Sequence, residues 1–324
     1  MEITPSFRKN VGFVASVLER RPHTTMFRPP PNGSAPTVVD MTSSLSPLLV
    51  DAPADVRAVL ADPRFGVPAP PVDDTPPGSL RWLRQSVPRF ANGPVHARRR
   101  AAVEALLAAP ELTPERLRKA ARRRAREARP EDLPYVPVTT LAAVLGVAEP
   151  DLAPAAAATR LVAAAYQPGA SEAAAAAADG GVATLLDLLP EPDPERAALL
   201  ICLLVQACDA TAGLVRAASA AAAATATATA THDDRTTVDG LVANTLRREP
   251  PVRATRREAL ADATVGGCPV ARGTMLQLDL AAAEPGLDPL PFGHGLRPCP
   301  AWAQALALAG GVLDILKLTK AGTA

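Results

Sequence analysis

The feature that most constrains the fold of this chain is a long apolar stretch, Glu195 to Ala218, which contains no proline and few charges. Its hydrophobicity is even around the helical period, so we expect one long helix that is buried on most sides. A helix buried on most sides needs other apolar elements packed around it, and this chain can supply them, because its 324 residues are 48% hydrophobic. The longest wholly apolar run, Ala197 to Val205, is about half the length that a bilayer requires, and no membrane association is predicted.

Most of the remaining chain is also predicted to be helical, from helix propensity and from the Gly and Pro residues that end each segment. We predict a basic helix after Thr113, whose hydroxyl can cap it, and Ala-rich helices within 155–189, interrupted at Pro168-Gly169. The other predicted helices are Ala54 to Asp62, Val95 to Ala109, Thr139 to Val147, Val238 to Arg248 and Trp302 to Leu318.

Strand signals are few and short. The predicted strands are Thr37 to Asp40, Leu45 to Val50 and parts of Ala263 to Leu280, where glycines mark turns. Ala220 to Ala230 is a low-complexity Ala/Thr segment, predicted to be a surface connection. The sequence therefore predicts a mainly α fold with a minor β portion, in a single domain over residues 1–324.

Charge and cysteine content exclude several classes of function. With 34 basic and 33 acidic residues the net charge is +1, which offers no general attraction for nucleic acid or anionic lipid. The four cysteines include no C-x-x-C pair and are too few for a disulfide scaffold. Met1 to Arg8 lacks the pattern of a signal peptide. We therefore expect a cytoplasmic protein, and the Ala, Arg and Pro bias is typical of a GC-rich bacterial genome.

The sharpest chemical pattern lies in residues 291–301, which read P-F-G-H-G-L-R-P-C-P-A. Gly293 and Gly295 permit tight bends and a close approach to a flat ligand. Cys299 lies just before the last predicted helix, where the helix dipole and free N–H groups favour a thiolate. An iron porphyrin can use such a thiolate as its proximal ligand, and Arg297 can donate to a propionate. The alternative is a buried cysteine in a glycine-rich turn.

This segment resembles the haem-binding loop of cytochromes P450, F-G-x-G-x-[HR]-x-C-x-G. Phe292, Gly293, Gly295, Arg297 and Cys299 match, and Ala301 replaces the closing glycine. The resemblance implies a P450-like fold, with haem b between the long helix, as the I helix, and the cysteine loop with the last helix, as the L helix. It also implies that Cys299 is the metal ligand and that Phe292, Gly293, Arg297 and Ala301 bind the cofactor.

Other segments agree with this resemblance in the same chain order. His96 and Arg100 are one helical turn apart, so both can reach one ligand, and they match the H-x-x-x-R motif whose side chains bind haem propionates in the family. His96 by itself would be interpreted as a surface residue. Arg257 stands where the family places another propionate-binding arginine, although Arg256 is an alternative.

The long helix carries Gln206 to Thr211 where the family has [AG]-G-x-[DE]-T-[TS]. Asp209 matches the acid, Ala210 takes the place of the hydroxyl residue, and Thr211 follows one residue late. The resemblance implies that Asp209 and Thr211 are catalytic and relay protons. Burying an unpaired carboxylate is costly, so the alternative for Asp209 is a structural salt bridge to an arginine.

The chain departs from the family in four places, which make it a shortened and atypical bacterial member, actinobacterial-like in composition. Asn244 replaces the glutamate of E-x-x-R, although it could still hydrogen-bond Arg247. The meander is reduced to 281–290, and we expect a truncated C-terminus because Ala324 closely follows the last helix. Ala210 is the fourth departure.

The resemblance implies a haem-thiolate monooxygenase that oxidises a small organic substrate, in bacterial secondary metabolism, with molecular oxygen and a ferredoxin-type redox partner. A second hypothesis is a peroxide-using or non-oxygenase haem-thiolate enzyme, because Ala210 lacks a hydroxyl. A third is a non-catalytic haem-binding or partner-recruiting relative, motivated by Asn244 and the short meander. The pocket is expected near Pro70 to Arg89 and 155–189, where Trp82 and Phe90 either line it or belong to the core.

Overall fold

The computed structural model describes residues 46–228, 237–284 and 286–321, and its elements are mainly helices. Residues from Ser46 onward form one compact unit. The predicted strand Thr37 to Asp40 lies outside the described residues, so the single domain over residues 1–324 stays a prediction. The helices are α1 (Pro53–Ala61), α2 (Leu80–Ser86), α3 (Gly93–Leu107), α4 (Pro114–Glu127), α5 (Val136–Val144), α6 (Leu152–Ala165), α7 (Glu172–Leu188), α8 (Pro194–Ala228), α9 (Val238–Arg248) and α10 (Trp302–Ala321).

The central helix is α8, which packs against α5, α6, α9 and α10. Its length and composition would suit a membrane span, but two thirds of its most apolar window is buried within the fold, as in the core helix that the sequence predicts. The helix continues to Ala228, so the prediction of a surface connection from Ala220 was wrong. Alanine has the highest helix propensity, and the low-complexity segment extends the helix instead of ending it.

Local capping differs from the prediction at α4. The hydroxyl of Thr113 makes no hydrogen bond to the first turn, so the predicted cap was wrong. Pro114 occupies the first helical position, where its lack of an N–H and its fixed φ suit the start of a helix. Serine and threonine side chains do cap α2, α7 and α9, at Ser79, Ser171 and Thr237.

The β portion consists of β1 (Leu48–Val50), β2 (Phe65–Gly66), β3 (Ala254–Ala259), β4 (Ala263–Val265), β5 (Cys268–Val270) and β6 (Met275–Asp279). Four strands form a sheet in the order β1-β6-β3-β2, with β1 parallel to β6 and β3 antiparallel to β6. β4 and β5 form a separate pair. The predicted fold class, mainly α with a minor β portion, is confirmed.

Strand β3 was not predicted, because its sequence A-T-R-R-E-A is too polar to indicate a strand inside a sheet. Side chains alternate between the two faces of a strand, and here Arg257 and Ala259 are buried while Arg256 is exposed. The register of β3 therefore directs the side chain of Arg257 toward the interior and that of Arg256 toward solvent.

Candidate functional site

A cavity of about 450 Å³ lies between α8 and the cysteine loop, residues 291–301. Much of its wall is apolar, with Val67, Val103, Leu203 and Leu308 among the lining residues. Every site residue predicted from the sequence lines this cavity: His96, Arg100, Asp209, Thr211, Arg257, Phe292, Gly293, Arg297, Cys299 and Ala301. The fold therefore brings together residues that are up to about two hundred positions apart in sequence, which is expected of a site built by a crossing of distant elements.

The cysteine loop is a tight structure held by its own backbone. The amide of Cys299 donates to the carbonyl oxygen of Phe292 at 2.7 Å, which closes the loop on itself. Gly293 and Gly295 have φ of 73° and 64°, in the left-handed region that favours glycine. A Cβ at Gly295 would come within 2.5 Å of the carbonyl oxygen of Leu60, at the end of α1. The loop is consequently seated against α1 at a distance that only glycine permits.

The thiol of Cys299 is partly buried and lines the cavity. Burial raises its pKa, and this effect exceeds the opposite effects of a hydrogen bond from the Ala301 backbone and of the Arg100 charge. The backbone N–H at the start of the last helix does favour a thiolate, as expected from the sequence, and desolvation, which the sequence does not reveal, opposes it. A metal that takes this sulfur as its ligand must displace the thiol proton.

Five basic side chains line the cavity (Arg89, His96, Arg100, Arg257 and Arg297), and three of them, Arg89, Arg257 and Arg297, form no ion pair with any described residue. The guanidinium of Arg257, which is 6% exposed, donates to the carbonyl of Arg256 at 2.8 Å and to Thr255 Oγ1 at 3.2 Å. Arg297 donates to the carbonyl of Ala91 at 2.9 Å and to Asn92 Oδ1 at 3.0 Å. Neither guanidinium forms an ion pair with any residue in the described ranges.

The other two basic residues, His96 and Arg100, add little net positive charge. Arg100 forms an ion pair with Glu104 at 2.7 Å. Burial, followed by the charges of Arg297 and Arg100, lowers the pKa of His96 to about 4, so its ring is neutral at pH 7. Burial and the neighbouring arginines Arg89 and Arg297 also lower the pKa of Arg257, to about 10. Burial is the larger cause of both shifts, and the charges of the neighbouring arginines add to it.

This set of residues fits a haem. The cavity offers one sulfur ligand, a glycine cradle, apolar walls and three guanidinium groups without anionic partners, and the two propionates of haem b supply negative charges that match two of them. The described residues contain no group of three or more His, Cys, Asp or Glu side chains that could hold a metal ion by themselves. A metal at Cys299 therefore needs further ligands from a cofactor, as a porphyrin provides.

On the opposite wall, α8 contributes Asp209, Ala210 and Thr211. Asp209 is exposed to the cavity and forms no ion pair with any described residue, so the structural salt bridge considered as an alternative is not found. Thr211 is 2% exposed, and its hydroxyl donates to the carbonyl of Ala207 at 2.7 Å. The carboxylate of Asp209 thus lines the cavity without an ion-pair partner among the described residues, whereas the hydroxyl proton of Thr211 is engaged within the helix.

The hydrogen bond that Asn244 could make to Arg247 is not found, and Arg247 is exposed without a side-chain hydrogen bond to any described residue. The shortened meander closes locally instead, because the amide of Leu290 donates to the carbonyl of Leu280 at 2.7 Å. Helices α4, α9 and α10 are joined by Arg118, which contacts both carboxylate oxygens of Asp314, at 3.0 and 2.9 Å, and Asp239 at 2.7 Å. This ion-pair cluster ties α9 and α10 to α4. The Glu–Arg pair that the sequence lacks makes no such link here.

Sequence reasoning located the pocket-lining segments only approximately. Of the two segments expected to line the pocket, 70–89 contributes Pro88 and Arg89, while 155–189 contributes Ala163, Tyr166 and Gln167. Trp82 and Phe90 are 7% and 4% exposed and belong to the core. Cys202 and Gln206 on α8 also line the cavity and were not predicted as site residues. Cys202 lies two turns and Gln206 one turn before Asp209 on α8, and helical spacing from Asp209 was the signal that could have found them.

No protein-family model and no curated protein matches the sequence, whereas solved structures match its fold. The structure of P450BioI in complex with hexadec-9Z-enoic acid ligated acyl carrier protein is similar, with 18% identity, a TM-score of 0.66 and coverage of 83% of this chain and 84% of that chain. Cytochrome P450 CREJ in complex with (4-ethylphenyl) dihydrogen phosphate has 17% identity, a TM-score of 0.64 and the same coverages. P450 RauA complexed with a biosynthetic intermediate of aurachin RE has 17% identity, a TM-score of 0.59 and coverage of 83% and 82%.

Proposed function

We propose that this chain, which has the cytochrome P450 fold, is a haem-thiolate monooxygenase that acts on a small organic substrate. The observation that carries the proposal is the arrangement of one cavity: Cys299, Arg257 and Arg297 line it, the two arginines without anionic partners among the described residues, and the carboxylate of Asp209 lines it from α8. An identity below a fifth supports the fold alone, so the activity is argued from these side chains.

In this proposal Cys299 Sγ binds the iron of haem b, while Arg257, Arg297, Arg100 and His96 bind its propionates. Phe292, Gly293 and Ala301 shape the surface on which the porphyrin rests. When bound, haem with a thiolate ligand supplies reductive activation of oxygen and transfer of one oxygen atom to the substrate. The apolar walls exclude bulk water from the reacting groups.

Asp209 is the residue that we propose to move protons, since its carboxylate is exposed to the cavity and has no ionic partner. A carboxylate can take a proton from water and release it toward the cavity. Thr211 assists only through the lone pairs of Oγ1, because its proton is donated to the carbonyl of Ala207. Both residues act in the same relay, with Asp209 carrying the larger effect.

The remaining parts of the proposal concern partners and setting. The reaction needs molecular oxygen and electrons, for which we propose a ferredoxin-type partner, in the cytoplasm. One structural neighbour, RauA, holds a biosynthetic intermediate, and this supports a role in bacterial secondary metabolism.

One observation favours a second candidate, a haem-thiolate enzyme that uses peroxide or does not insert oxygen. Ala210 lines the cavity where the family has a hydroxyl residue, and the hydroxyl of Thr211 is turned back into α8. Proton delivery from α8 consequently rests on Asp209. An enzyme supplied with peroxide needs fewer protons from this wall than one supplied with oxygen and electrons.

The test starts from purified protein that has been incubated with haem b, with haem content measured by the pyridine haemochrome assay. Substrate oxidation is then compared in two mixtures, one with oxygen, a ferredoxin and its reductase, and one with hydrogen peroxide alone. Turnover in the first mixture supports the monooxygenase, and turnover in the second mixture alone supports the second candidate. Stoichiometric haem without turnover in either mixture contradicts both and supports a non-catalytic relative, whereas absence of haem contradicts all three.

A further inference from the structure

Arg89 is a third guanidinium in the cavity that the proposed haem does not neutralise. Two propionates provide two negative charges, which match Arg257 and Arg297. Arg100 already has Glu104 as its partner, and burial keeps His96 neutral at pH 7 in the haem-free protein. Arg89 lines the same cavity, so the charges of the proposed complex leave one positive charge without a partner.

Within the described residues, no carboxylate forms an ion pair with Arg89. Its Nη2 donates only a long hydrogen bond, of 3.5 Å, to Oε1 of Gln167, and its guanidinium carbon lies 5.4 Å from the centre of the Phe90 ring. Burial lowers the pKa of Arg89, yet an arginine stays charged at neutral pH. Asp209 forms no ion pair with it. A partly buried cation with only this long hydrogen bond gains stability when a ligand pairs with it.

The position of Arg89 separates it from the metal ligand. It lies in the turn Pro88–Phe90, and the groups that act most on its charge are Tyr166, at the end of α6, and Cys202, on α8. The arginine that acts on Cys299 is Arg100. Arg89 thus borders the α6 and α8 walls of the cavity, with the apolar residues Ala163 and Leu203, and its charge also lowers the pKa values of Arg257 and Arg297 on the haem side.

We infer that Arg89, assisted by Gln167, binds the carboxylate of the substrate, and that this pocket selects organic acids with an apolar body. The inference rests on the proposed function, because the haem is what satisfies the other two arginines. The planar guanidinium matches a carboxylate with two parallel hydrogen bonds, and the apolar walls suit the remainder of such a molecule. Arg89 is thus a specificity-determining residue in the substrate pocket.

The experiment compares haem-loaded wild-type protein with three variants: Arg89→Leu, Arg89→Lys and Arg81→Leu. Arg81 lies on the exposed surface of α2, where it pairs with Asp73, so its variant removes a nearby positive charge outside the cavity. Haem content is measured first in every sample. Binding of octanoate and of octan-1-ol is then measured by equilibrium dialysis, because the two probes share a chain and differ in charge.

We expect wild-type protein to bind octanoate about ten-fold more tightly than Arg89→Leu does, as expected for loss of a charge-assisted hydrogen bond. Binding of octan-1-ol and haem content are expected to stay the same. Arg89→Lys is expected to keep most of the octanoate affinity, and Arg81→Leu all of it.

Equal weakening of both probes, or wild-type protein that binds octan-1-ol as tightly as octanoate, overturns the inference. A loss of haem in Arg89→Leu also overturns it, because Arg89 then belongs to the propionate-binding set. Both of these results leave the proposed function intact. Wild-type protein that takes up no haem overturns the proposed function and the inference with it.

Discussion

The guanidinium of Arg100 donates from Nη1 to the carbonyl oxygen of Pro298 at 2.8 Å, one residue before Cys299. The same side chain donates from Nε to Glu104 at 2.7 Å, so it joins α3 to the cysteine loop and brings its own counter-charge. The sulfur is thereby placed by contacts from α1 and α3, in addition to the backbone of its own loop. Predictions about the loop, the charged rim and α8 can be tested separately.

The seat of the cysteine loop on α1 predicts a large cost for Gly295→Ala. A side chain at this φ costs about 1 kcal/mol by itself, and the new Cβ would also lie 2.5 Å from the carbonyl oxygen of Leu60. Gly267→Ala is the matched control, because Gly267 also has a positive φ, of 79°, but no atom within 4 Å of the new Cβ. We expect urea denaturation to show at least about twice the loss for Gly295→Ala. Equal losses would show that the loop does not need this close approach.

The uncompensated charge of Arg257 predicts opposite effects in haem-free and haem-loaded protein. Arg257→Met removes a buried cation, so the haem-free protein is expected to keep or gain thermal stability. The haem-loaded protein loses a propionate partner, and we expect haem affinity to fall about ten-fold. Arg256→Met is the control, since Arg256 lies on the exposed face of the same strand. An equal loss of haem affinity in both variants would contradict the assignment of Arg257.

The pKa of His96 can be measured by nuclear magnetic resonance, first in the haem-free protein and then in the haem-loaded protein. The signal of His96 is the one that is missing from the spectrum of His96→Gln. Its pKa is lowered from 6.5 to about 4 by burial and by Arg297 and Arg100. The unfolded chain binds the proton more readily between these values, so this residue's contribution to stability is complete above 6.5 and falls as the pH decreases toward 4. Haem binding is expected to raise this pKa, because a propionate favours the protonated ring. An unchanged pKa on haem binding would place the propionates elsewhere.

The two polar residues of α8 are expected to differ in their effect on turnover. Asp209→Asn removes the free carboxylate, and we expect oxygen-dependent turnover to fall about a hundred-fold with haem content retained. Thr211→Val removes a hydroxyl whose proton already bonds to Ala207, and we expect a change of less than about five-fold. Rates are measured with reductase and oxygen. A larger loss in Thr211→Val than in Asp209→Asn would contradict the assigned relay.

The stronger predictions from sequence came from patterns that are local and periodic. The even hydrophobicity of Glu195 to Ala218 predicted the central helix, and the two glycines before Cys299 predicted a tight loop. These patterns reflect the backbone conformation that the residues themselves prefer. The end of α8 was wrong by ten residues because Ala/Thr repeats were interpreted as a connection, although alanine favours helix.

Other features depend on contacts that sequence spacing does not contain. The inward direction of Arg257 comes from the register of β3 against β6, where it pairs with Leu276. The raised pKa of Cys299 comes from burial by distant segments. Arg89 belongs to a segment that was expected near the pocket, but its lack of a carboxylate partner appears only when α6 and α8 are placed around it. Which charges in the cavity have partners therefore depends on the packing of distant segments.

The measurement that tests the central claim most directly is the absorption spectrum of haem-loaded, reduced protein with carbon monoxide, recorded for wild type, Cys299→Ala and Cys268→Ala. Cys268 is exposed on β5 and serves as the control cysteine. We predict the red-shifted Soret band of thiolate-ligated haem in wild type and Cys268→Ala, and its loss in Cys299→Ala. A red-shifted band that persists in Cys299→Ala, or a wild-type spectrum without it, would contradict ligation of the iron by Cys299.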